Sequence, residues 1–144
     1  MTIESALQTG LTTALAADGN LSALTIPVYP HVAPQSAALP FCTYAIEASE
    51  VENTINYADK TGLTLTVAQL RVDVWAGTVA SRALIMTAIK AWLHGFRGAL
   101  GTEALDIRQA RLSNVTTLSE KDITGTDAEI YRGDLSFEIV YNWS

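Results

Sequence analysis

Cysteine, histidine and, in its first part, basic residues are scarce in this 144-residue sequence, and each shortage excludes something. The one cysteine, Cys42, cannot form an intramolecular disulfide. Set in the apolar run Phe41-Cys42-Thr43-Tyr44, it reads as a small buried residue made in a reducing, intracellular compartment. Two histidines, His31 and His94, form no HExxH motif and there is no paired CxxC, so neither a metal nor a cofactor is expected. No stretch approaches the roughly 20 consecutive apolar residues of a membrane-spanning helix. Met1-Thr2-Ile3-Glu4-Ser5 lacks the basic and apolar regions of a signal peptide, so no membrane partner is expected.

Base is absent from residues 1–59, which carry Glu4, Asp18, Glu47, Glu50, Glu52 and Asp59, so the whole net charge of −6 lies there. A protein that grips phosphates clusters Lys and Arg on one face. This asymmetry is the reverse, and tight nucleic-acid binding is excluded. What the sequence does have is apolar residue, 49% of the chain, with only 17% charged. A chain of this length is one domain, residues 1–144, burying about 70% of its unfolded surface without staples.

The apolar pattern alternates between helical and strand periods. Thr2 is a candidate N-cap for a helix drawn by Ile3, Leu7, Leu11 and Leu15 and closed by Asp18-Gly19-Asn20. All four prolines, Pro27, Pro30, Pro34 and Pro40, fall within fourteen residues. They predict a short strand at Val28-Tyr29 and an extended proline-rich loop over 30–40. A long hairpin over about 41–75 follows, its acidic connection lying between Glu50 and Gly62. In its second strand Leu63, Leu65 and Val67 are apolar at odd positions but Leu70, Val72 and Val74 at even ones. Such a phase change requires a β-bulge near Ala68-Gln69, or an outer end that leaves the sheet and buries its other face against a neighbouring subunit; the two are compatible.

Thr78 is the candidate N-cap of a second helix striped by Ile85, Ile89, Trp92, Leu93 and Phe96 and ended by Gly95, with His94 placed to favour the helix C-terminus when protonated. Gly98-Ala99-Leu100-Gly101 reads as a turn, Leu105–Asn114 as a strand and 116–128 as a mobile loop. Tyr131, Leu135, Phe137, Ile139, Tyr141 and Trp143, alternating with polar residues, define the last strand. The expected class is α+β, a mainly antiparallel sheet packed by two main helices in the order α-β-β-β-α-β-β.

Chemistry-bearing patterns are missing. The glycines of Gly95–Gly101 follow a helix, whereas a phosphate cradle needs a helix N-terminus after them. There is no GxSxG elbow. Glu47, Glu50 and Glu52 in a polar hairpin are solvated acids of ordinary strength. The aromatics of the last strand are interleaved with Asp134 and Glu138, which suits core packing and not base stacking. No catalytic residue is assigned, and the chain is not expected to be an enzyme.

Five ordered pieces carry a resemblance: Tyr29-Pro30-His31-Val32-Ala33-Pro34-Gln35, Leu39–Tyr44, Arg71-Val72-Asp73-Val74-Trp75-Ala76, Leu93–Gly98 and Tyr131-Arg132-Gly133-Asp134-Leu135-Ser136-Phe137. By their order and spacing over nearly the whole chain, the sequence resembles the tail-completion family of long-tailed bacteriophages, which includes tail terminators and tail-to-head joining proteins. The resemblance implies a hexameric ring, assembled in the host cytoplasm, that ends the tail tube in the virion. Its implied partners are other copies of the chain, the major tail tube protein and the head-closure or neck protein, with genomic DNA passing through unbound. The alternatives are a head-closure or minor tail protein of the same machine and, more distantly, a small-molecule-binding or enzymatic domain. Glu47, Glu50, Glu52 and Asp59 are the candidate lumen-facing or partner-facing acids. Tyr57, Leu63, Leu65 and Val67 are the candidate inter-subunit hairpin residues.

Overall fold

Helix-period and strand-period segments become two helices and one sheet in the computed structural model, which describes residues 3–17, 19, 26–53, 64–99, 105–121 and 129–143. The elements are α1 (Ile3–Ala17), β1 (Val28–Pro30), β2 (Phe41–Asn53), β3 (Thr64–Ala76), α2 (Val79–Leu93), β4 (Gly98–Ala99), β5 (Leu105–Lys121) and β6 (Glu129–Trp143). The sheet order is β1-β2-β3-β6-β5-β4; only β1 with β2 is parallel. The expected α+β class holds, with one addition. Gly98–Ala99 is not only a turn but a two-residue strand on β5.

The core lies between the helices and one face of the sheet. Leu7, Leu11 and Leu15 of α1 and Ile85, Met86, Ile89 and Leu93 of α2 meet Leu70, Val72 and Val74 of β3 and Leu135, Phe137 and Ile139 of β6. Cys42 is in this layer and fully buried, as expected; burial, with some help from the Asp73 charge, pushes its thiol up to about 12. Gln8 ties α1 to the sheet, its Nε2 donating to Val28 O at 3.2 Å and its Oε1 accepting from Tyr44 Oη at 3.3 Å. A Cβ on Gly133 would collide with Met86 Sδ, so glycine there lets α2 lie close to β6.

Thr78 caps α2 as its hydroxyl accepts the Ser81 N–H at 3.1 Å. The Thr2 cap lies outside the described residues. His94 stands at the C-terminus of α2, as expected, and its Nδ1 accepts the Leu112 N–H at 3.1 Å, which ties the end of α2 to β5.

Opposite Leu70 and Gln69 the β2–β3 register does shift, but the extra residue is not in β3. β3 pairs with β6 from Leu65 to Ala76 with no register shift, so it carries no bulge and does not leave the sheet over those residues. Ala68 continues the buried even-numbered face, and Val67 stands on the other face, half-buried. The bulge is on the partner strand, between Ile46 and Ala48, leaving Glu47 as the extra residue. β5 likewise runs past Asn114 to Lys121, paired with β6 throughout, so 116–121 of the expected loop are strand, while 122–128 lie outside the described residues.

Candidate functional site

The face of the sheet turned away from the helices carries the polar positions of β3 and β6, and register puts them side by side. Asp73 is opposite Asp134, Trp75 opposite Arg132 and Arg71 opposite Ser136. On the other flank Thr43 is opposite Asp73 and Phe41 opposite Trp75. Residues two apart on neighbouring strands thus form a compact cluster by period alone.

Its charges face one another, although Arg71 Nε and Asp73 Oδ1 are buried without a hydrogen bond. Asp73, 6% exposed, lies 3.3 Å from Arg71 Nε through Oδ1 and 3.7 Å from Arg132 Nη2 through Oδ2. Arg132 also donates from Nε to Asp134 Oδ1 at 2.8 Å. Its guanidinium lies over the Trp75 ring, 4.8 Å from the centroid, a cation–π arrangement. Trp75 Nε1 donates to Thr43 Oγ1 at 3.4 Å, and the ring stacks on Phe41, which meets Tyr29 edge-on. Burial, the hydrogen bond from carboxyl to carboxylate with Asp134, and the charge of Asp134 raise Asp73 to about 7; the Arg71 and Arg132 charges pull the other way and lose.

The proline loop roofs this cluster. His31, at φ 60°, turns the chain, and its N–H donates to Tyr44 O at 2.8 Å. Val32, Pro34 and Leu39 then face Phe41, Asp73, Trp75 and Arg132 across a cavity of about 690 Å³. Val32 is 80% exposed at its mouth. With both arginines engaged by aspartates, the cavity offers an apolar and aromatic wall with polar anchors, and not an anion site. Among the described residues no group of three His, Cys, Asp or Glu could hold a metal ion, and no helix is long and apolar enough to cross a membrane.

The residues singled out from sequence lie elsewhere. Glu47 is the bulge residue of β2, and Glu50 and Glu52 stand in register with Val67 and Leu65 of β3. Asp59, Tyr57 and Leu63 lie outside the described residues. The cluster under the proline loop was missed as a site, although Arg71-Val72-Asp73-Val74-Trp75 and Arg132-Gly133-Asp134 carry its signal. In each, charged residues recur two apart on a strand whose other face is apolar.

Known proteins supply the context. The family model described as tail completion protein gp17 matches residues 9–142. Among solved structures, a chain from the virion of a native gene transfer agent particle superposes with a TM-score of 0.64 at 20% identity, covering 98% of each chain. At that identity the likeness concerns the fold. No curated protein matches the sequence.

Proposed function

Because the chain belongs to the tail completion protein gp17 family, we propose that it assembles with copies of itself into a ring, hexameric as the family resemblance suggests, that ends the tail tube and joins it to the head-neck complex. At the coarser level it is a structural protein of a virion tail. The observation that supports the finer reading is the family match over residues 9–142.

The surface supports this reading. Ala80, Ala83, Leu84, Thr87 and Ala91 make one exposed, uncharged side of α2. A helix apolar or small on nearly all sides belongs in a packed environment, and the tube protein and the head-closure protein are the partners we assign. The chain works without catalysis: the acids and bases of its cluster, Arg71, Asp73, Arg132 and Asp134, are paired with one another. Glu47, Glu50, Glu52 and Asp59 are assigned to the bore, where repeated carboxylates repel DNA phosphates and let the genome slide. Changing all four to their amides leaves particles intact and slows DNA ejection; normal ejection removes the bore assignment.

Deletion of the gene tests the main reading. Loss of a tail-ending ring gives tails of abnormal length. Normal free tails beside leaking heads would instead assign the chain to head closure.

A further inference from the structure

Among the described residues the sheet has two long open edges, and they are unlike. β1 covers β2 only at Cys42–Tyr44, where the outer backbone bonds are Cys42 N to Pro27 O and His31 N to Tyr44 O. Beyond Tyr44, over 45–53, no described residue pairs with the outer side of β2. β4 covers β5 only at Asp106–Ile107; Arg97, Gly95 and His94 then occupy Arg108 O, Ala110 O and Leu112 N. Over 113–121 no described strand pairs with the outer side of β5. Exposed edges of this length are templates for another strand.

We propose that neighbouring copies of this chain join edge to edge, the open half of β2 in one copy pairing antiparallel with the open half of β5 in the next, so that one sheet runs continuously around the assembly. This rests on the ring reading above and adds how the ring is closed.

Three features converge on a second copy as the occupant. The first is direction. β2, β3, β6 and β5 are successively antiparallel, so β2 and β5 run oppositely. Rotation about a ring axis to which the strands are tilted preserves the sense in which each strand runs, so β5 meets the next β2 antiparallel and the alternation continues unbroken. The second is extent. The open halves, 45–53 and 113–121, match in length and lie at opposite ends of the sheet, since 45–53 pairs with β3 near β6 residues 136–142, whereas 113–121 pairs with 129–136. The joint is therefore staggered, as strands of a closed, tilted sheet are. The third is charge. The open half of β2 carries Glu47, Glu50 and Glu52 and no base, whereas the open half of β5 carries only Glu120 and Lys121, which cancel. Two β2 edges repel one another, while β2 against β5 does not. The contact is thus head-to-tail, the kind that closes into rings. Backbone bonds hold the joint and the charges choose the partner, so amide substitutions at the glutamates leave it formed.

The test is cross-linking in assembled particles. Glu50→Cys and Thr117→Cys are introduced together, and particles are treated with a short bis-maleimide; Cys42, buried with its thiol raised to about 12, stays unreactive. A denaturing gel should show a ladder of linked copies from the double variant and only monomer from either single one. Monomer alone from the double variant, or dimer from Glu50→Cys alone, overturns the edge pairing. If the double variant makes no particles, hydrogen exchange of the unaltered chain, free and assembled, decides: amides in both 45–53 and 113–121 must become protected, and unchanged exchange in either overturns it. Electron microscopy of the same particles separates the two levels. A ring seen without the ladder removes this inference alone, while no ring removes the reading on which it rests.

Discussion

Asp73 is the residue where the described structure stores an unfavourable charge. Its carboxyl is raised to about 7 by burial and by Asp134, with Arg71 and Arg132 opposing and the Cys42 thiol behind it. A raised acid binds its proton more tightly folded than unfolded. Its contribution to stability is therefore fully present below the ordinary carboxylate range near pH 4 and lost as pH rises toward 7. The loss is on the order of a few kcal/mol. Asp73→Asn should flatten urea-unfolding stability between pH 5 and 8 and raise it at pH 8; the same slope in both proteins would refute the assignment. Gly133 makes a second residue-level prediction. Gly133→Ala forces Met86 aside and should cost about 1–3 kcal/mol. A double-mutant cycle with Met86→Ala should show the two changes coupled, since the truncated side chain vacates the space the new methyl needs.

Elements were legible where one period dominates. Leu7, Leu11 and Leu15 drew α1, Thr78 marked the start of α2, and the alternation of Leu135, Phe137 and Ile139 drew β6. Thr78→Ala should destabilise the protein by about 1 kcal/mol, and Thr78→Asp should restore most of it, as read by thermal unfolding. What was not legible depended on a partner strand. The odd-to-even change at Val67–Leu70 implied an extra residue in β3, but β3 runs regularly along β6 with its even positions on the core face, and only pairing shows that the bulge is at Glu47 of β2. Thr116–Lys121 is polar enough to read as loop, yet its threonines and Val115 suit an edge strand held by β6 on one side. The candidate site was hidden for the same reason: Asp73 and Asp134 are 61 positions apart in the chain and meet only by register. Deleting Glu47 removes the extra residue and leaves Ile46 and Ala48 opposite Leu70 and Gln69 in regular alternation, so both halves of β2 keep their faces. The deletion should unfold at a urea concentration no lower than Glu47→Ala; a much lower midpoint would contradict this placing of the bulge.

At the scale of the whole molecule, the chain is a helical layer with an uncharged exposed side, a sheet with two unlike open edges, and a roofed aromatic cavity on the far face. A free-standing protein gains nothing from long unpaired edges, which invite aggregation. Closure of this virion tail protein into the proposed ring would cover them. The most direct test is electron microscopy of isolated tails carrying the chain with a small C-terminal label, averaged at the tube ends. The account predicts a labelled, rotationally symmetric ring at the head-proximal end of every completed tail. Label spread along the tube, confined to the head, or absent from finished tails would contradict it.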